Sequence, residues 1–210
     1  MIVQILYNTN TKYVSLHPEV ENKFTQQIRA AFSCTDNMSV LKPLLIIELV
    51  LLLTACTGIP ENVSPVTGFD ANRYLGTWYE IARLDHSFER GLQQVTAVYS
   101  LREDGGIRVI NQGFNTDNKQ WERAEGKAYF IESDDVGRLK VSFFGPFYGA
   151  YNIIELDKQD YRYALVCGPD KSYLWILARE PVLDKSTIDH LLAIASKTGF
   201  DTDRLIYINH

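Results

Sequence analysis

No cluster of lysine or arginine occurs in this 210-residue sequence: the 21 basic residues are interspersed with 26 acidic ones, for a formal net charge of -5. Without a basic stripe there is no electrostatic footprint for nucleic acid, so DNA and RNA are not expected partners. Histidine is scarce too. Only His86, His190 and His210 follow residue 56, and they fall on a predicted loop, a predicted helix face and the terminus. Neither a metal-ligand cluster nor a nucleophile with its base is recognisable, so no metal, no cofactor and no catalytic residues are expected. Long apolar runs are also missing. The longest, broken only by Glu48, is the twelve residues from Leu44 to Ala55, and twelve residues cannot cross about 30 Å of hydrocarbon.

Such a run, following Met38 and Lys42, has the form of a signal-peptide core. It ends in Leu53-Thr54-Ala55-Cys56, which resembles a bacterial lipobox, where the cysteine is diacylated on sulfur and becomes the mature N-terminus. The expected organisation is then an over-extended start at 1–37, a signal peptide at 38–55, a lipidated tether at 56–69 and one folded domain at 70–210. A membrane partner, reached through lipid on Cys56, follows from this reading. Thr57 stands where an inner-membrane lipoprotein has Asp, which points to the outer membrane and its periplasmic face.

Cysteine is sparse enough to exclude a disulfide from the mature chain. Cys34 lies before the expected start, Cys56 carries lipid, and Cys167 is left alone. Stability must therefore come from an apolar core, for which 46% hydrophobic and 12% aromatic residues are ample.

What the domain does contain is a succession of short alternating segments. Strands are expected at 77–85, 94–102, 106–115, 120–131, 138–144, 149–156, 162–168 and 172–179, separated by turn residues such as Asp104-Gly105-Gly106 and Gly168-Pro169-Asp170. The 57–68 segment, with Gly58, Pro60, Pro65 and Gly68, reads as a spacer whose job is reach, and 86–93 as a lid candidate. After Pro181 the period changes. Ile188, Leu191, Leu192 and Ala195 recur on one helical stripe between an Asp184 cap and Gly199, and Arg204–Ile208 suits a short extra strand. The fold class is all-β: an eight-stranded up-and-down antiparallel barrel with one C-terminal helix packed outside. A barrel of that size is filled by side chains or holds one small ligand.

Three motifs in order carry a family resemblance: Gly76-Thr77-Trp78-Tyr79 opening the first strand, Asp160-Tyr161 beside the seventh, and Arg179 ending the eighth. They resemble the lipocalin motifs. Gly145–Gly149 and Ala164–Asp170 resemble bacterial members that are outer-membrane lipoproteins. The resemblance implies that Gly76, Trp78 and Arg179 are structural, with Arg179 lying across the Trp78 ring at the closed end of a cup. Alternation puts Trp78, Glu80 and Ala82 on one face and Tyr79 and Ile81 toward the helix.

Register from those anchors gives an inward, ligand-binding list: Ala97, Tyr99, Ile110, Val141, Phe143, Tyr151, Tyr173 and Trp175. The resemblance implies a fatty acid or lysophospholipid as ligand and allows a homodimer. The expected function is binding, storage or transport of such a ligand. Two alternatives stay open on the residues alone: a structural envelope lipoprotein whose barrel is filled, and a lipid-modifying enzyme using Cys167.

Overall fold

The computed structural model describes residues 57–210. Eight strands alternate in direction: β1 Gly76–Arg83, β2 Leu92–Leu101, β3 Ile107–Asn115, β4 Gln120–Phe130, β5 Arg138–Phe144, β6 Phe147–Leu156, β7 Tyr163–Cys167 and β8 Leu174–Ala178. Each pairs antiparallel with the next, and β1 pairs with both β2 and β8, which closes the barrel and leaves the eight strands no long free edge. The expected over-extended start, signal peptide and lipobox cysteine, Cys56, lie outside the described residues.

A four-residue helix, α1 (Ala71–Tyr74), crosses one end. Asp70 caps it, its Oδ1 accepting from the Asn72 amide at 2.9 Å. Phe69, Tyr74, Trp78 and Tyr161 are buried together at that end, which is the floor. The β1–β2, β3–β4, β5–β6 and β7–β8 connections form the opposite end, the mouth.

The second helix, α2 (Lys185–Lys197), is capped by Asp184, whose Oδ1 accepts from the Thr187 amide at 2.9 Å. It stops at Gly199, which adopts a φ of +90° that an L side chain rarely takes. Its stripe, centred on Leu191 and Ala195, packs against the outer wall at Leu165, Cys167, Leu174, Ile176 and Ala178. Burying one stripe and leaving Lys185 and Asp189 to pair in solvent is what the 3.6-residue period dictates. A short ninth strand, β9 (Ile206–Tyr207), pairs with Ala82 and Arg83 of β1.

Two expectations need correcting. Alternation along β1 breaks at a bulge between Glu80 and Ala82, so Ile81 and Ala82 both join the outer cluster under α2 and Arg83 turns inward. The expected free tether is, over 57–69, held against the barrel. The Val66 amide donates to Ile153 O at 2.8 Å, Val66 O accepts from Gly137 at 2.8 Å, and the Phe69 amide donates to Asp135 O at 2.8 Å. Pro60, Val63 and Phe69 are buried. Prolines and glycines prevented helix there but not docking, because apolar side chains at 59, 63, 66 and 69 had wall to cover.

Candidate binding site in the barrel lumen

The floor is built from the inside out around Trp78, which is fully buried. Its Nε1 donates to Tyr74 O at 2.8 Å, and its ring lies 4.5 Å from that of Tyr74. The Arg179 guanidinium sits 4.2 Å over the Trp78 ring and donates to the carbonyls of Thr77 at 2.9 Å and Arg73 at 2.7 Å. A cation over an indole is worth about 0.5–2 kcal/mol, and here it also ties the start of β1 to the end of β8. Gly76 is glycine for two reasons: its φ is +95°, and a Cβ would come within 3.3 Å of Arg179 Nη1.

Above the floor, Ala97, Tyr99, Val141, Phe143, Tyr151 and Trp175 lie against the inner core cluster. Ile110 does not. It pairs with Val98 and Glu125 on the outer face, and Val109 and Asn111 take the inward positions of β3 opposite Tyr99 and Ala97. Counting from the anchors was off by one residue there, which turns a strand side chain to the opposite face. Tyr173 lies at the mouth, its ring 6.1 Å from Trp175 and 6.2 Å from Phe88.

The phenols gather at the floor end. Tyr151 OH bonds Tyr74 OH at 2.8 Å and Tyr99 OH at 2.9 Å. Burial raises the pKa of Tyr74, Tyr99 and Tyr151, so the three stay neutral and satisfy one another. The inner wall is bare at one position. Gly149 shares its face with Val141, and a Cβ there would meet no atom within 4 Å. Ala97, Val141, Phe143, Tyr151 and Trp175 point inward yet are only half-buried.

A buried polar cluster completes the site. Arg83 Nη1 donates to Glu80 Oε1 at 2.6 Å, and Nη2 donates to Glu89 O at 2.6 Å and Leu92 O at 3.1 Å. Glu89 reaches back from the β1–β2 connection to accept from Trp175 Nε1 at 2.9 Å, with His86 Nε2 at 3.0 Å in a direction poor for a hydrogen bond. Burial and the neighbouring Glu89 charge push the Glu80 carboxyl well up. Burial works on Glu89 in the same sense, but His86, Trp175 and Arg83 outweigh it and hold that carboxyl down. Of the two carboxyls, Glu80 is thus the one that holds its proton more strongly. Sequence reasoning missed this cluster, although charges at 80 and 83 in an apolar strand were the available signal. Asn111 Oδ1 is buried without a partner.

A family model described as a lipocalin-like domain matches residues 69–210. The chain belongs to the lipocalin family. Among curated lipocalins, the outer membrane lipoprotein Blc of Vibrio cholerae is 55% identical over 75% of this chain and 92% of its own length. Blc of Escherichia coli K12 is 56% identical over 75% of this chain and 89% of its own. The solved lipocalin fold of insecticyanin from Manduca sexta superposes with a TM-score of 0.60 at 24% identity, covering 73% of this chain and 87% of that one. In this lipocalin Cys167 is wholly buried on the outer wall under α2, and burial pushes its thiol up to about 12.

Proposed function

We propose that the protein binds a single-chain lipid, a fatty acid or lysophospholipid, in the lumen, for storage or transport at the periplasmic face of the bacterial outer membrane. Cys56 anchors it there through lipid. The observation that carries the reading is the bare inner wall at Gly149, facing open space among half-buried apolar side chains. Burying about a dozen methylenes at ~0.8 kcal/mol each supplies roughly 10 kcal/mol before the costs of ordering, enough for micromolar binding without elaborate polar recognition.

The polar groups orient the ligand. The floor offers phenols that already bond one another and, among the described residues, no charged group facing the lumen, so an acid head group stays toward the mouth and solvent. The names of the Blc relatives support the outer-membrane placement. An enzyme using Cys167 is disfavoured by a thiol held protonated and turned toward α2, away from the lumen.

The test is a titration of residues 57–210 with a fluorescent fatty acid and, separately, a fluorescent lysophospholipid. Quenching of Trp175 should saturate at one probe per barrel, or one per dimer if two mouths share it. Gly149→Leu should weaken binding about tenfold or more by filling the void, with the melting temperature unchanged. No saturable signal would sink the carrier reading in favour of a filled structural barrel.

A further inference from the structure

We propose that the mouth of the barrel docks directly on a lipid bilayer, with Phe88, Trp121, Phe144 and Phe147 as the contact. The proposal rests on the reading of Cys56 as a lipid anchor. Those four side chains are 55%, 54%, 65% and 54% exposed. They come from three segments, the β1–β2 connection, the start of β4 and the β5–β6 turn, and all three lie at the mouth. The other large apolar residues exposed by more than half among those described, Leu101, Val182 and Tyr207, are not at those segments. Aromatic rings gathered at one end of a domain mark an interface, and rings of this kind favour the boundary between lipid and water.

The course of the chain selects a bilayer as the occupant. Asn152 Nδ2 donates to both Gly58 O at 3.3 Å and Gly168 O at 3.1 Å, which pins the first described residues beside the start of the β7–β8 mouth connection. From there the segment descends to Phe69 at the floor. A residue spans at most about 3.6 Å, so the chain allows the anchor proposed at Cys56 no more than about 7 Å of reach from Gly58. Lipid on that sulfur therefore enters the membrane from the mouth half of the barrel and draws the aromatic rim toward the bilayer. Had the chain run the other way, the anchor would hold the floor against the membrane.

Charge at the rim is mixed. Asp85 pairs with Arg90 at 2.6 Å, and Asp117, Lys119, Asp170 and Lys171 lie on the other mouth turns. Docking is accordingly by ring insertion, with no requirement for anionic lipid and little response to salt. A lipid leaving the bilayer then passes into the lumen without crossing water.

Residues 57–210 close the barrel strand to strand and bury three core clusters within themselves, so this fragment is the one to test. It is mixed with vesicles of phosphatidylethanolamine and phosphatidylglycerol whose acyl chains carry bromine at known depths. Trp121 emission should be quenched by shallow bromines, equally at low and high NaCl, and Trp121→Phe should remove that component. A double variant, Phe144→Ser and Phe147→Ser, should lower vesicle partitioning about tenfold or more while its melting temperature and lumen affinity stay unchanged. Docking is refuted if the parent fragment stays free at vesicle saturation, or if the double variant partitions equally. A dimer formed through the same rings, with vesicle binding absent, refutes it in favour of a second copy. Mass measurement of the mature N-terminus reads the anchor separately: an unacylated Cys56 with vesicle binding intact ends the anchor reading and leaves rim docking standing.

Discussion

Two buried carboxyls 9 positions apart in sequence are pushed in opposite directions, Glu80 up by burial and the Glu89 charge, Glu89 down by His86, Trp175 and Arg83. Glu80, with its pKa raised, favours the fold at low pH and costs stability as pH rises from its ordinary range toward the folded value. Glu89, with its pKa lowered, does the reverse: its contribution is present above the ordinary range and lost as pH falls through the folded value. Glu80→Gln, which mimics the protonated form, should change neutral-pH stability by about 1 kcal/mol or less and flatten its decline above pH ~4.5. Glu89→Gln should cost about 3–5 kcal/mol, since it removes the buried carboxylate that accepts from Trp175 Nε1 and faces His86. Thermal melts across pH read both, and equal effects of the two substitutions would contradict the assignment of the proton. Asn111 offers a lumen acceptor that no alternation rule could have revealed, because a lone Asn in a strand reads equally as a solvated edge.

At the scale of elements, strand and helix positions were legible because their signals are local. Turn residues bound each strand, and the α2 stripe switches the period cleanly between Asp184 and Gly199. What escaped is what depends on partners. The β1 bulge reverses the side-chain order after Glu80 with no glycine to announce it, and Ile110 fell on the outer face because the strand register is fixed by pairing with Val98 and Glu125. The 57–69 strap escaped for the same reason: its composition disfavours regular structure, while its attachment is a matter of which wall lies beside it. Phe69 is the strap's clasp, with its ring 5.2 Å from Tyr74 and 6.4 Å from Tyr161. Phe69→Ala should cost about 3–5 kcal/mol in chemical denaturation. A loss below about 1 kcal/mol would mean that the strap rests on the barrel without holding its floor.

As a whole molecule, the barrel separates stability from binding along its axis. The floor holds the cation over Trp78, the phenol trio and the clasp, whereas Trp175 stands half-buried in the upper lumen, with Gly149 bare on the inner wall opposite Val141. Trp78→Ala should mainly unfold the protein, lowering stability by about 3–5 kcal/mol. Trp175→Ala should mainly weaken lipid binding, and comparable effects of both on the melting temperature would deny the division. The motif residues were legible because sequence order placed them on the right strands, but the open wall was not, since alternation gives a packed and a hollow barrel the same pattern. The strap carries one more consequence. Gly58 is fastened to Asn152, so an anchor of the kind proposed at Cys56 would leave a slack of a couple of residues between membrane and barrel. A molecule held that way would be a stationary post, taking up or handing over lipids where it stands.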